Sequence, residues 1–267
     1  MSDYNKPIIV ISKCLGFDNC KHDGSIENNE FIEKLKKYVK VIPICPEIEC
    51  GLQIHHSKLR IVENNNKEEL LIPNEDLNLT QEMHDFSNKF LNKLTNVDGF
   101  ILKSKSPICA LKDAKVYDTL EKGCAIKREH GFFTKEIIKQ YPYIPIEDEH
   151  RLNNFKIREH FLSRIFILSD FRLIKKSFNF ESLKSFHLKN TLLFLSYSQK
   201  YSKLLDNLIY SDKIEDINIL FKEYEFYLNR LLEKAPRYTS NINVLMKSLE
   251  QFGDKISTEE LQFLWTT

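Results

Sequence analysis

The chain has 267 residues, of which 42% are hydrophobic and 29% charged, and its formal net charge is +1. These values are typical of a soluble globular protein of one or two domains, and the near-zero net charge gives no argument for nucleic acid as a partner. The polar start of the chain does not resemble a secretory signal, and no apolar run reaches the roughly 20 residues of a membrane span, so we expect a cytoplasmic protein with no membrane partner.

The N-terminal half alternates short apolar segments with segments of helical period. Strands are predicted at Pro7–Ser12, Val39–Ile44 and Gly99–Lys103, with a hairpin formed by Lys58–Val62 and Glu69–Ile72. Helices are predicted at Asn28–Tyr38, Gln81–Leu94 and Gly131–Tyr141. This alternation is typical of an α/β fold with a mostly parallel sheet and flanking helices.

After Pro145 almost every segment has helical period. These segments are Arg151–Ser169, Phe180–Tyr210, Ile214–Leu232 and Asn241–Phe252. We therefore predict an α/β domain at residues 1–145 and an all-α domain at residues 146–267. Between Asn153 and Arg237, Lys and Arg alternate with Tyr and Phe, which fits either an RNA-binding face or an ordinary solvated helix surface.

Three cysteines stand just beyond the ends of three predicted strands: Cys14, Cys45 and Cys109. In an open α/β sheet, the loops at the carboxyl ends of the strands gather at one edge, where ligands bind. Three thiols that are distant in sequence can therefore converge. Iron–sulfur clusters usually take four cysteine thiolates, and a cluster held by three keeps one iron open to bind and polarise a substrate.

The other three cysteines, Cys20, Cys50 and Cys124, are expected to be dispensable for such a cluster. A zinc site is a weaker interpretation, because structural zinc usually shows paired cysteines two to four residues apart. The sequence contains neither G-x-G-x-x-G nor a Walker A motif, which disfavours dinucleotide and P-loop chemistry.

Polar residues accompany the cysteines in each loop. Glu47 follows Cys45-Pro46 and can act as a general acid or base, or equally as a capping or surface residue. Lys103, Ser104 and Ser106 precede Cys109 and can bind an anion or a carbonyl oxygen. Asp23-Gly24 is a turn signal.

Several of these motifs together resemble the thiouracil desulfidase family over residues 1 to about 145. They are Ser12-Lys13-Cys14-Leu15, Asp23-Gly24, Cys45-Pro46-Glu47, Gly51-Leu52, and Ile101-Leu102-Lys103-Ser104-Lys105-Ser106-Pro107 with Cys109. The remainder resembles the helical domain often fused to this family, although it is shorter than usual. Its marks are Asn153-x-x-x-x-Arg158-Glu159, Phe171-Arg172, Phe186-His187, Tyr197-Ser198-Gln199, Pro236-Arg237 and Asn241-Ile242-Asn243-Val244-Leu245.

The fused arrangement resembles bacterial enzymes that remove sulfur from 4-thiouridine in tRNA. The resemblance implies a 4Fe-4S cluster with one open iron, held by Cys14, Cys45 and Cys109. On this hypothesis Glu47 and Ser104 are catalytic, and Lys103, Ser106 and Asp23 bind the substrate. The expected RNA contacts, all in the helical part, are Lys156, Arg158, Arg172, His187 and Lys189.

Two other functions stay open. The protein can be a desulfidase of free thiouracil or another small thiobase, with the same chemistry and no RNA. Alternatively, it can be a non-catalytic iron–sulfur or RNA-binding protein. The sequence gives no prediction of the oligomeric state.

Overall fold

The computed structural model describes residues 5–54, 57–73, 75, 77–121, 123–211, 216–250, 257, 259–260 and 262–263. By its internal contacts the chain forms two compact units, Met1–Ser169 and Asp170–Thr267. This division lies after residue 145, where the sequence predicts the boundary between the α/β and the all-α domain. The domain boundary itself stays a prediction. The difference arises because Phe161 and Ile165 belong to a hydrophobic cluster of the first unit.

The described strands are β1 (Ile8–Ser12), β2 (Lys40–Ile44), β3 (Arg60–Asn64), β4 (Lys67–Ile72), β5 (Leu77–Asn78), β6 (Gly99–Leu102), β7 (Ala114–Tyr117), β8 (Lys127–Glu129) and β9 (Ile146–Asp148). The described helices are α1 (Glu30–Leu35), α2 (Pro46–Glu49), α3 (Thr80–Lys93), α4 (Phe132–Gln140), α5 (Phe155–Ser177), α6 (Phe180–Tyr197), α7 (Gln199–Tyr210), α8 (Ile217–Leu231) and α9 (Tyr238–Glu250), with a 3-10 turn at Arg151–Asn153. The predicted fold class, an α/β part followed by an all-α part, is confirmed.

The first unit contains two sheets. One is entirely parallel and has the strand order β2-β1-β6-β9. The other has the order β5-β4-β3-β7-β8, in which only β3 and β7 pair in parallel. The strands expected to lead to the three cysteines are β1, β2 and β6, and they are neighbours in the parallel sheet.

Alternate residues of β1 pack into two different hydrophobic clusters. Ile9 and Ile11 lie with α1 and the start of α5, whereas Val10 lies with the second sheet, α3 and α4. Residues that alternate along a strand point to opposite faces, so both faces of the parallel sheet are covered. Ligand access is therefore confined to the edges of this sheet.

The second unit is helical, and aromatic side chains fill its interior. Phe171 stacks on Tyr224 with ring centroids 5.6 Å apart, and Phe194 is fully buried. The helical stretch predicted at Phe180–Tyr210 forms two helices, because Ser198 ends α6 and its side chain caps α7 by accepting from the amide of Tyr201. Among the described residues, no helix combines the length and apolar character needed to cross a bilayer.

Candidate active site

A cavity of about 710 Å³ opens in the first unit, where β1, β2 and β6 end. The three cysteines predicted to hold a cluster, Cys14, Cys45 and Cys109, all line it. The predicted polar residues line the same cavity: Asp23, Glu47, Lys103, Ser104 and Ser106. The topology thus brings together eight residues from three loops that are far apart in sequence.

The three cysteines lie in the segments that follow β1, β2 and β6, where turns and helix ends hold their backbone. Cys14 lies two residues after β1, in a turn closed by the amide of Leu15, which donates to the carbonyl of Ser12. Cys45 follows β2 directly and is the N-terminal cap of α2. All three side chains are buried, with at most 9% of their surface exposed.

The first residues of α4 form hydrogen bonds with the loop that carries Cys109. The amides of Phe132 and Phe133 donate to the carbonyls of Pro107 and Ile108, and the Thr134 hydroxyl donates to the carbonyl of Cys109. Ser106 Oγ accepts from the Cys109 amide at 3.1 Å. These bonds hold the backbone of Cys109 in place.

A fourth thiol, that of Cys20, also lines the cavity. The sequence predicts that this cysteine is dispensable for a cluster. Cys20 is 3% exposed, its side chain is within hydrogen-bonding reach of the thiols of Cys14 and Cys45, and Cys45 Sγ donates to its carbonyl at 3.7 Å. Cys50 is partly buried and Cys124 is exposed, and neither lines the cavity.

Crowding and burial raise the pKa of three of these thiols, Cys20, Cys45 and Cys109. Contact with Cys14, together with burial, raises the pKa of Cys20 to about 12. The pKa of Cys45 is raised by its hydrogen bond with Cys20 and by burial. Burial and the negative charge of Glu47 raise the pKa of Cys109. Proton loss from such a group is favourable when a metal takes the proton's place, so the donor set fits iron, which binds thiolates.

A second polar cluster centres on Glu149, a residue that is 2% exposed. Its carboxylate accepts from the Ser104 amide at 2.9 Å and from the Ser104 hydroxyl at 2.6 Å, and it also pairs with Lys103. The Lys103 amide donates to Ser12 Oγ at 3.0 Å. Glu149 therefore fixes the orientation of two cavity residues at once.

Glu27 extends this cluster toward the loop that carries Cys20. Its carboxylate pairs with Lys103 at 3.2 Å and with Lys21 at 2.9 Å. Burial alone would lower the pKa of Lys103, but its pairs with Glu149 and Glu27 outweigh burial and raise it. Glu27, Glu149 and His150 also have ligand atoms within 4.8 Å of one another, but the Lys103 ammonium already pairs with both carboxylates.

Glu47 and Asp23 occupy different settings in the cavity. Glu47 lies in the first turn of α2, close enough to Cys109 and Cys45 for its charge to raise the pKa of both thiols. Asp23 is exposed and accepts from the amide and hydroxyl of Ser25, bonds that lower its pKa to about 2. Asp23 thus has a structural role in its turn, whatever it does for a substrate.

Glu149 and Glu27 are not predicted from the sequence. Glu149 stands in the acidic stretch Ile146–Arg151, which resembled a polar junction between domains, and no local pattern marks its burial. For Cys20, the available signal was its position six residues after Cys14.

The candidate RNA contacts differ in accessibility. In the first unit, Lys156 is exposed and the Arg158 guanidinium lies over the ring of Phe31 at 5.5 Å. In the second unit, Lys189 is exposed and Arg172 is partly buried. His187 is fully buried, and its ring nitrogens contact Tyr224 Oη at 3.0 Å and Asp206 Oδ1 at 2.8 Å. Direct contact of RNA with His187 does not fit this placement.

Fold and cavity together define a class, an α/β protein with a thiol-lined site at the carboxyl edge of a parallel sheet. The chain belongs to the 2-thiouracil desulfurase family, whose family model matches residues 9–149. A second model, described as a protein of unknown function (DUF1722), matches residues 191–267.

A solved structure described as the 4Fe-4S-dependent thiouracil desulfidase TudS is similar to the chain at 19% identity. The match covers 55% of this chain and 94% of that one, with a TM-score of 0.45. A comparison with curated proteins gives no match.

Proposed function

We propose that this protein is a 4Fe-4S-dependent desulfidase that removes sulfur from thiolated uracil. The reaction converts a thiocarbonyl and water into a carbonyl and hydrogen sulfide, and no electron is gained or lost. One observation carries the proposal: Cys14, Cys45 and Cys109 line a single cavity inside the region matched by the desulfurase family. The thiol donor set and the burial of its members support an iron–sulfur cluster over an oxygen-ligated metal.

When bound, the cluster supplies through its open iron a Lewis acid that holds and polarises the thiocarbonyl group. Cys14, Cys45 and Cys109 are the residues that would hold it. A cavity of about 710 Å³ lies within the range of roughly 300–1,000 Å³ that ligand sites occupy.

Glu47 moves the protons of the reaction. Water must lose a proton as it adds to carbon, and the departing sulfide must gain one. Glu47 lines the cavity, and its charge acts on the Cys109 thiol, which supports this role. Pro46, at the first helical position, limits the directions that Glu47 can take.

Ser104, Ser106 and Lys103 orient the pyrimidine. Ser106 Oγ accepts from the amides of Ile108 and Cys109, which leaves its hydroxyl proton as the part that can be donated to a base oxygen. The Ser104 hydroxyl donates a hydrogen bond to Glu149, and its oxygen accepts one from Lys103 Nζ. The second lone pair of this oxygen remains to accept a hydrogen bond from an N–H group of the base. Asp23 is the remaining candidate for a substrate contact.

The favoured substrate is 4-thiouridine in tRNA. In the first unit, Arg60 and Lys115 of the second sheet line the cavity. The Arg60 guanidinium lies 4.4 Å from the centroid of the Tyr117 ring. A free base carries no phosphate for such cations to bind, whereas RNA does. Lys156, Arg158, Arg172 and Lys189 would add phosphate contacts, whereas His187 is left out because it is buried. Turnover of free thiobase alone would favour the small-molecule desulfidase instead.

The experiment that tests the cluster site replaces two thiols together. In Cys45→Ser/Cys109→Ser at most two cavity thiols remain, so anaerobic reconstitution should leave little iron or acid-labile sulfide on the protein. The matched control is Cys50→Ser/Cys124→Ser, whose thiols lie outside the cavity and which should keep the full cluster. A full cluster in the first variant would contradict the proposed site.

A further inference from the structure

The fourth cavity thiol, Cys20, has no role in the proposed function. It is buried, it lines the cavity, and its side chain meets the thiols of Cys14 and Cys45. Cys45 Sγ also donates to its carbonyl. Cys20 is therefore a member of the same thiol group as the proposed ligands.

We propose that Cys20 supplies a fourth thiolate to the resting cluster, so that the iron left open by Cys14, Cys45 and Cys109 is covered until substrate sulfur displaces Cys20. This inference rests on the proposed function. A 4Fe-4S cluster ordinarily takes four thiolates, one for each iron, and the described residues place four thiols around one cavity.

Cys20 is the exchangeable member because of the backbone that carries it. Cys45 stands directly between β2 and α2, and Cys109 is held by α4. Cys20 lies instead in residues 18–29, which form neither helix nor strand. The Glu27 amide closes this loop by donating to the Cys14 carbonyl at 2.8 Å, and Cys20 itself is held by the Cys45 thiol, which donates to its carbonyl at 3.7 Å. Among the described residues, no hydrogen bond of a strand or helix has to break for Cys20 to move, so the loop can shift without disturbing the sheet.

The exchange is a substitution at iron and transfers no electron between the partners. The iron–sulfur bond to Cys20 breaks, both bonding electrons stay on the Cys20 sulfur, and that sulfur takes a proton from solvent. A lone pair of the substrate's thiocarbonyl sulfur forms the new bond to the same iron. When sulfide has left, the Cys20 thiol loses the proton and binds again.

The loop is also linked to the residues proposed to orient the base. Lys21, the residue after Cys20, pairs with Glu27, and Glu27 pairs with Lys103. A substrate that engages Lys103 therefore alters a contact one residue away from the displaced thiol. This arrangement keeps iron covered until a substrate arrives.

The test measures how easily one iron is lost from the full-length, anaerobically reconstituted protein. An iron without a protein thiolate leaves on mild oxidation and gives a 3Fe-4S cluster with its own electron paramagnetic resonance signal. On ferricyanide treatment we expect several-fold more of this signal from Cys20→Ala than from wild type. Cys50→Ala, whose thiol lies outside the cavity, should behave as wild type.

Cys20→Ser provides a second variant that keeps the size of the side chain, and it too should lose iron more readily than wild type. Equal conversion of wild type and both variants would overturn the inference while leaving a cluster-dependent desulfidase in place. The lack of any cluster in wild type would overturn the proposed function and this inference with it.

Discussion

Glu47 is the residue whose placement most directly links the cysteines to chemistry. It follows Cys45 and Pro46, is the second residue of the four-residue helix α2, and lines the cavity next to Cys109. Its charge opposes the ionisation of Cys45 and Cys109, so the carboxylate lies within electrostatic reach of two of the proposed cluster ligands. This position suits the proton transfer proposed for it.

Replacing Glu47 by Gln should lower turnover by roughly 10²–10⁴-fold, because general acid–base catalysis is lost while size and hydrogen bonding are kept. Iron content should not change, since Glu47 is not a ligand. The measurement is the initial rate of sulfide release per cluster. Glu49→Gln is the control, because Glu49 lies exposed on the same helix. A near-wild-type rate for Glu47→Gln with a full cluster would transfer the role to a water held by Ser104 or Ser106.

At the scale of elements, the contact between α4 and the Cys109 loop is tight at Gly131. A Cβ built there would lie 2.3 Å from the carbonyl oxygen of Ile108 and 2.8 Å from the amide nitrogen of Cys109. Both atoms belong to the backbone and cannot rotate away. Glycine is therefore required for the helix to approach the loop that carries Cys109.

Gly131→Ala should displace this loop, which costs about 1–3 kcal/mol of stability by overpacking and lowers the iron content. Thermal unfolding and iron analysis report the two effects. The control Gly123→Ala meets its nearest atom only at 4.0 Å and should leave both values unchanged. An unaltered cluster in Gly131→Ala would show that Cys109 does not depend on α4 for its position.

Helix α5 carries a titrating group that makes folding depend on pH. Burial, and then the charge of Arg164, lower the pKa of His160 to about 4, below its ordinary 6.5. Between these values the unfolded chain binds more protons than the folded one, so stability is present above pH 6.5 and is lost as pH falls toward 4.

We expect His160→Gln to flatten the fall in the melting temperature across this pH range. The same substitution at the exposed His150 should leave the wild-type slope. If the melting temperatures of wild type and His160→Gln fell equally with pH, His160 would not be the cause of the loss of stability.

The elements also mark the limit of what the sequence can predict. The strands β1, β2 and β6 are apolar and short, so their pattern identified them and with them the edge where three cysteines meet. Strand β9 is only Ile146–Asp148, and two of its three residues are acidic; it exists because it pairs with β6. Strand β8 is Lys127–Glu129, entirely charged, and it exists because it pairs with β7. Pairing partners, not local pattern, define both.

The same limit applies to the site. Residues adjacent to a predicted strand end, such as Glu47 and Ser104, were within reach of sequence reasoning. Cys20 and Glu149 were not, because a loop without periodicity carries Cys20 into the cavity and an acidic stretch carries Glu149 against the cavity residue Ser104. The roles of all these residues stay predictions.

At the scale of the whole molecule, a desulfurase-family region at residues 9–149 is joined to a helical region matched at residues 191–267. The first holds every residue proposed for chemistry. Arg172 and Lys189 lie in the second compact unit, before the matched helical region begins, and their charges suit phosphate rather than a small neutral base. On the proposed function these charges would hold RNA, so a comparison of RNA with the free base tests that proposal.

The most direct test is sulfide released by the anaerobically reconstituted full chain from tRNA that contains 4-thiouridine, with free 4-thiouracil measured in parallel. The account predicts one sulfide for each uracil formed, faster turnover of the tRNA than of the base, and loss of both reactions in Cys45→Ser/Cys109→Ser. A protein that carries a full cluster and releases sulfide from neither substrate would contradict the account.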